Sequence, residues 1–270
     1  MSNMIFFDVD GTISIEETGE IPESAIKAIR KARENGHLTY INSGRTLSSI
    51  GEKYKAIGFD GFVCGCGTAI YENGECIYKY NVPKEVCFHV MQKARETKVT
   101  AVYEAEEGVF VDLELPKHKV IDSLEQVLGC NVPYVPKVLT EGCISFEKFC
   151  VWLTEEADFD AFREAIKEEF DCIDRGGGMY EMLPSGVSKA TGIQRLMEYH
   201  NIPLENSYAL GDSTNDLSML QFVPNSIAMG NSMKEILPYC AYQTARVEED
   251  GLAKALAHYG MISMDEICTR

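Results

Sequence analysis

Basic residues are scarce in this chain. Its 270 residues include 25 Lys and Arg against 42 Asp and Glu, a formal net charge of -17. A surface that acidic repels polyanions, which argues against general binding to nucleic acid or to anionic membrane. One local cationic pocket for a small anion remains compatible with it. Long apolar runs are missing as well: no stretch of about 18 apolar residues occurs, so no membrane span is expected. The first residues, MSNMIFF, have no basic segment and too short an apolar run for an export signal. Ten cysteines are present without a single C-x-x-C pair, and no His or Cys cluster completes a zinc set with Cys64 and Cys66. The thiols therefore read as reduced and mostly buried, in a cytoplasmic protein rather than a disulfide framework. What remains is 45% hydrophobic and 25% charged residues, the composition of a globular chain with one large domain or two smaller ones.

The apolar pattern alternates from the start. Met4–Phe7 suits a strand buried on both faces. Pro22–Asn35 reads as a helix, with Ile26 and Ile29 apolar and Gly36 as its stop. Leu38–Ile41 is a second strand, a helix is expected from about Thr46 to Ile57, and Phe62–Cys64 is a third strand. Strand and helix alternating at this spacing predict a parallel sheet covered by helices. Ala69–Tyr71 and Cys76–Tyr80 then form a hairpin around Asn73-Gly74. Beyond Pro83 the texture changes. A helix to about Thr97 is followed by β-like runs at Thr100–Tyr103, Val109–Leu113, Lys148–Leu153 and Gly178–Leu183, with helices near His118–Leu128 and Phe159–Phe170. After Ser185 the alternation returns: helix Ser188–His200, strand Tyr208–Leu210, helix Asn215–Phe222, strand Ser226–Met229 and helix Leu252–Tyr259. The expected fold is α/β, a doubly wound parallel-sheet core of residues 1–83 and 185–270 interrupted by an inserted α+β domain over 84–184.

Ligands of open α/β sheets bind beyond the carboxyl ends of the strands, and four polar clusters fall there. Asp8 and Asp10 flank Val9 at the end of the first strand, so both can address one point, with Gly11-Thr12 as the exit. Ser43-Gly44-Arg45 follows the second strand and can form a small anion nest of backbone N–H groups. Lys189 opens a helix, where the macrodipole opposes a cation unless an anion lies between the two positive groups. Gly211-Asp212-Ser213-Thr214-Asn215-Asp216 follows the strand Tyr208–Leu210. Each cluster alone also reads as a solvated turn, a common loop dipeptide, a surface lysine or a helix cap; the four together are harder to ascribe to chance. Four carboxylates (Asp8, Asp10, Asp212, Asp216) against Lys189 and Arg45 cannot crowd one cleft that also admits a phosphate unless a cation joins them or some are protonated. All-oxygen ligands select a hard divalent ion, of which Mg2+ is the abundant one.

The order DxDGT, SGR, a lone Lys before a helix, and GDSxND resembles the haloacid dehalogenase-like hydrolases. AMGNS near residue 230 and EEDGLAKAL near 250 are similar to the Cof-type branch. The resemblance covers nearly the whole chain. It implies a Rossmann-like catalytic core and, over 84–184, a large α/β cap that closes over the cleft and reads the substrate beyond its phosphate. It also implies a phosphatase that works through an aspartyl-phosphate. Asp8 would be the nucleophile and Asp10 the acid that protonates the leaving oxygen and then takes a proton from water. Asp8 and Asp212 by carboxylate and Asp10 by its backbone carbonyl would ligate Mg2+, with Asp216 behind them. Ser43, Gly44, Lys189 and Asn215 would bind the phosphate, Thr12 would support the loop, and Arg45 would touch the leaving group or tie down the cap. Relatives carry Asn-Gly-Ala where this chain reads Cys66-Gly67-Thr68, so no amide contact carries over to position 66, and a packing role for Cys66 is preferred to a reactive thiol.

The expected substrates are small phosphorylated metabolites such as sugar phosphates or phosphorylated cofactors, with no nucleic-acid, membrane or protein partner. A phosphomutase of the same chemistry is an alternative. A sugar-phosphate-binding regulator is another, but it would need neither nucleophile nor acid. A receiver domain leaves the large insertion and Asp10-Gly11-Thr12 unexplained, and an ion-pumping ATPase needs membrane spans.

Overall fold

The strand Met4–Phe7 (β1) has no exposed side chain, because it lies in mid-sheet with a partner on each edge. It pairs in parallel with Leu38–Asn42 (β2) on one side and with Ser207–Gly211 (β12) on the other. These contacts come from a computed structural model of the chain, which describes residues 2–116, 118–122, 134–142 and 145–267.

The sheet continues outward through Gly61–Cys64 (β3), Ala69–Glu72 (β4) and Glu75–Lys79 (β5) on one flank, and through Asn225–Ala228 (β13) and Tyr242–Gln243 (β14) on the other. The strand order is β14-β13-β12-β1-β2-β3-β4-β5, and β4 is antiparallel to β3. Side chains alternate across the sheet. Met4, Phe6, Tyr40 and Val63 pack on one face with Ile193 and Leu196 of helix Lys189–His200 and with Met219 and Leu220 of helix Leu217–Phe222. Helix Glu23–Glu34 (α1) and helix Gly251–His258 pack together, and α1 also contacts β2. α1 has Pro22 at its N-cap, and Ala25, Ala28, Ile29 and Ala32 make up its buried stripe.

The described chain divides into two compact units. The first is Met1–Gly44, Glu52–Tyr78 and Ser188–Arg270; the second is Arg45–Gly51 with Lys79–Val187. The second unit has its own six-stranded sheet. Its order is Phe170–Gly176 (β10), Met179–Pro184 (β11), Lys148–Trp152 (β9), Thr100–Ala105 (β6), Gly108–Asp112 (β7) and Tyr134–Lys137 (β8). One face carries Tyr103, Phe149, Val151 and Met182 against helix Lys84–Glu96, through Val90 and Met91, and helix Phe159–Ile166, through Phe162 and Ile166. The other face holds Val102, Val109, Val111, Cys150 and Trp152. Two sheets, one mostly parallel and one mostly antiparallel, make the α/β class with an inserted α+β unit.

Two of the expected helices depart from the sequence expectation. The helix expected over 46–57 is broken: Leu47–Ser49 is a single 3-10 turn, Ile50 is extended, and only Glu52–Lys55 is helical. The Thr46 hydroxyl bonds those of Ser48 and Ser49, each at 3.1 Å, so local side-chain bonds compete with a helical ladder there. The helix expected to reach Phe170 ends at Ile166, and Phe170 begins edge strand β10. Phe162, Ile166 and Phe170 keep a helical period, which hides the change. The helix expected near 118–128 is helical over Lys119–Asp122, and its remainder lies outside the described residues.

Candidate active site

Parallel pairing sets the site. Phe7 is in register with Ile41 and with Leu210, so the residues that follow each strand leave the sheet side by side. Those residues are Asp8 after β1, Ser43 after β2 and Asp212 after β12. The Asp8 amide extends the ladder by donating to the Leu210 carbonyl at 3.0 Å.

Asp8, Asp212 and Asp216 are all buried, and each offers a carboxylate oxygen within 4.8 Å of the others. Among the described residues this is the one such trio of candidate metal ligands. Two glycines permit it. A Cβ at Gly11 (φ +76°) would lie 2.3 Å from Asp212 Oδ2, and one at Gly211 would lie 2.6 Å from Asp216 Cγ. Asp10 is half-buried, bridged to Ser14, and outside the trio, so its expected share in the metal site rests on its main-chain carbonyl alone. Thr12 is fully buried, with its hydroxyl 3.5 Å from Asp212 Oδ1.

Lys189 is fully buried and joins two of the acids. Its ammonium donates to Asp8 Oδ1 and, at 2.6 Å, to Asp216 Oδ1. Burial works against the charged ammonium, but Asp216 and then Asp8 outweigh it, and the net shift is well upward. The other oxygen of Asp216 accepts the amides of Asp212 (2.9 Å) and Ser213 (3.1 Å). Asp216 thus fixes both Lys189 and the turn carrying Asp212, while Asp8 and Asp212 keep oxygens for other partners.

Three carboxylates around one ammonium leave an excess of buried negative charge. Burial first, then Asp216, raises the Asp8 pKa from 3.8 to about 7, against the pull of Lys189. Burial first, then Asp8, Asp216 and Glu16, raises Asp212 to about 8. Protons therefore do part of the neutralising in the metal-free protein. An all-oxygen donor set with surplus negative charge fits a hard divalent cation.

The remaining expected residues fall as follows. Ser43 is buried; its amide donates to the Val63 carbonyl, and its carbonyl accepts the Cys66 amide, both at 2.9 Å. Gly44 is half-buried and is the last residue of the first unit before Arg45. Arg45 groups with the second unit, where its guanidinium donates to the Ser49 carbonyl at 3.2 Å. Asn215 is half-buried, and its side-chain oxygen accepts the Ser213 hydroxyl at 2.5 Å. Cys66 is buried, has left-handed backbone (φ 56°, ψ 32°) and contributes to the field on Lys189. Asn is among the non-glycine residues that tolerate that conformation best.

Sequence reasoning missed Asn42 and Asn231. Asn42 is buried at the end of β2, and its amide donates to the Lys189 carbonyl at 3.1 Å, which ties the helix start to the sheet. An amide closing an apolar strand was the available signal. Asn231 lies in AMGNS, a motif that served only as a family marker.

Comparison with known proteins places nearly the whole chain among related sequences and folds. The family described as haloacid dehalogenase-like hydrolase matches residues 5–256. YkrA of Bacillus subtilis (strain 168) is 30% identical over 263 residues, covering 97% of this chain and 99% of that protein. YitU of the same organism, a 5-amino-6-(5-phospho-D-ribitylamino)uracil phosphatase, is 26% identical over 269 residues, covering 95% and 97%. Among solved structures, the subclass IIB sugar phosphatase BT4131 superposes with a TM-score of 0.81 at 26% identity, covering 97% of this chain and all of that one.

Proposed function

Since the chain belongs to the haloacid dehalogenase-like hydrolases, in their Cof-type branch of phosphatases, we propose that it is a Mg2+-dependent phosphatase of small phosphorylated metabolites, working through an aspartyl-phosphate. The observation that carries this reading is the buried cluster in which Lys189 bonds Asp8 beside Asp212 at the carboxyl ends of β1 and β12. A phosphate monoester has to be attacked by a group shielded from water and flanked by positive charge, and Asp8 has both conditions.

In the proposed reaction the Asp8 carboxylate attacks phosphorus and forms an acyl phosphate as the ester oxygen leaves. Asp10 gives that oxygen its proton and then takes one from the water that hydrolyses the acyl phosphate, which regenerates Asp8. Lys189 holds Asp8 in place and adds positive charge on the phosphate side. The Ser43 hydroxyl, the Gly44 amide and the Asn215 side chain bind equatorial oxygens. The carboxylates of Asp8 and Asp212 and the Asp10 carbonyl would hold Mg2+, which when bound supplies charge neutralisation for the transferring group; Asp216 orients that set. Arg45, which groups with the second unit, touches the leaving group or ties down the cap, and the insertion over 84–184 serves as that cap. Relatives named for a ribitylamino-uracil phosphate and for sugar phosphates support polyol and sugar phosphates as the substrate class.

The test is phosphate release from p-nitrophenyl phosphate and a panel of sugar and polyol phosphates, with Mg2+ and with EDTA. Release should require Mg2+, vanish in Asp8→Asn, fall in Asp10→Asn far more for the sugar and polyol phosphates than for p-nitrophenyl phosphate, and demand more Mg2+ in Asp212→Asn. Turnover that survives Asp8→Asn overturns the nucleophile assignment.

A further inference from the structure

The turn that carries Asp10 needs a fixed shape, and most of its bonds are local. The Val9 carbonyl accepts the amides of Thr12 (3.4 Å), Ile13 (3.0 Å) and Ser14 (3.0 Å), and the Gly11 amide donates to the Ser14 carbonyl at 2.8 Å. The Gly11 carbonyl is different. Its bond reaches 220 residues along the chain, to the side chain of Asn231, whose Nδ2 donates to it at 2.8 Å. The same side chain accepts the Val247 amide on Oδ1 at 3.3 Å. One amide therefore spans the catalytic turn and the start of the turn Val247–Glu249, and it is oriented by both partners: a carbonyl demands the NH2 end and an N–H demands the oxygen end. Among side chains of this length, Asn alone offers a donor and an acceptor in that fork. Asp offers two acceptors and would set a carboxylate against the Gly11 carbonyl.

The loop bearing Asn231 is itself tied to the acidic turn. The Met233 amide donates to the Asp212 carbonyl at 2.8 Å, the Met229 amide to the Gly211 carbonyl at 3.1 Å, and the Ser232 hydroxyl to the same Gly211 carbonyl at 3.3 Å. Residues 229–233 are thus bonded to the Asp212 turn by their backbone and to the Asp10 turn by one side chain.

We propose that Asn231 is a positioning residue that holds the Asp10-Gly11 turn in the geometry for proton transfer to the leaving oxygen. This rests on the assignment of Asp10 as the acid. Asn231 acts through Gly11 and does not touch the reacting atoms. A positioning role predicts a dependence on the leaving group that general destabilisation does not. p-Nitrophenolate leaves readily without a proton, whereas the alkoxide from an alkyl phosphate such as glycerol phosphate does not. A displaced acid therefore slows the alkyl ester far more than the aryl ester.

The experiment measures kcat and KM for both esters with Mg2+ in Asn231→Asp, Asn231→Ala and Val247→Pro, and in Asp10→Asn alongside. Val247→Pro removes the amide that orients Asn231 and leaves the Asn231 side chain itself in place, at the cost of trading one buried apolar side chain for another. Arg246 already has extended backbone (φ -65°, ψ 161°), which proline requires of the residue before it, and Val247 is the first residue of its 3-10 turn, where proline is tolerated. The expected result is a kcat for glycerol phosphate lower by about 30–100-fold in both Asn231 variants, the order that misplacing a catalytic group by about 1 Å produces. The loss on p-nitrophenyl phosphate should be no more than about threefold, with KM within about threefold for both esters and Val247→Pro intermediate. Asn231→Asp should be no better than Asn231→Ala despite its closer shape. Equal losses on both esters, or none, overturn the proposal. If the Asn231 variants fail to fold, Val247→Pro alone decides by the same ratio. If Asp10→Asn shows no leaving-group dependence, the acid assignment fails instead; if it shows one and the other variants do not, the positioning role fails alone.

Discussion

Lys189 sets the charge balance of the acidic cluster, so its removal has consequences beyond a lost hydrogen bond. It is buried and shared by Asp8 and Asp216. Lys189→Met keeps most of the volume and leaves the buried acids without that partner. Removing one member of a buried pair costs about 3–5 kcal/mol because the other stays buried and uncompensated. Here some of that loss can be relieved, since Asp8 and Asp212 are already disposed to hold protons. The expected outcome is a folded protein with a lower melting temperature in neutral buffer, partly recovered in acid, and kcat reduced by about 100-fold or more. Thermal melts at two pH values with a p-nitrophenyl phosphate assay check this, and an unchanged melting temperature at neutral pH would contradict it. At this scale the sequence was legible where chemistry and position coincide: Asp8, Ser43 and Asp212 each follow an apolar strand, and that pattern is local. The bonds among them were not legible. Nothing in the spacing of residue 189 says that its side chain turns inward to two acids, and nothing in AMGNS says that its Asn reaches Gly11.

Elements follow the same division between local and distant causes. β1, α1, β2 and β12 were readable because each has an apolar period, and α1 also a start and a stop. The broken segment over 46–57 was not, because the Thr46, Ser48 and Ser49 hydroxyls pair with one another, and the chain passes from the second unit back to the first at Glu52. Edge strands β8 and β10 were missed for lack of a clear alternation; β10 buries Phe170 and exposes much of the rest. The inserted sheet contains a feature that only pairing reveals. Glu104 of β6 and Lys148 of β9 are cross-strand neighbours, and Glu181 of β11 completes a buried triad. Lys148 lies 3.1 Å from Glu104, and burial, partly offset by Lys148, raises the Glu104 pKa. Lys148→Met should therefore destabilise the chain by about 3–5 kcal/mol. A folded-state pKa raised further above the unfolded value means stability present at low pH and lost as pH rises, so the penalty should grow with pH. Adding Glu104→Gln and Glu181→Gln to Lys148→Met should restore most of the loss. Urea denaturation of the single and triple variants measures it, and a triple variant as weak as the single one would show that the penalty is packing rather than charge.

For the molecule as a whole, the acidic cluster links folding, protons and metal. Asp8 and Asp212 titrate at about 7 and about 8 in the folded, metal-free protein, against 3.8 for an ordinary Asp side chain. Between those values the folded state binds protons that the unfolded chain has released, so stability falls as pH rises. The contribution is fully present below about pH 4 and is lost as pH passes through about 7 and 8, with a slope of up to about 1.4 kcal/mol per pH unit for each group while its folded form stays protonated. A divalent cation that takes the same oxygens must displace those protons, so its apparent affinity should rise over the same range. Ligand binding to the folded state alone raises the melting temperature. Two measurable consequences are coupled: in EDTA the melting temperature should fall between about pH 6 and about pH 8.5, and the increase produced by a fixed Mg2+ concentration should be larger at the upper end. Asp212→Asn removes one of the two titrating groups and one carboxylate ligand, so it should flatten the EDTA profile and shrink the Mg2+ response together. A Mg2+ response of equal size at both ends of the range, or one that survives Asp212→Asn undiminished, would mean that the ion binds away from these carboxylates, and the charge argument for a metal at β1 and β12 would fail with it.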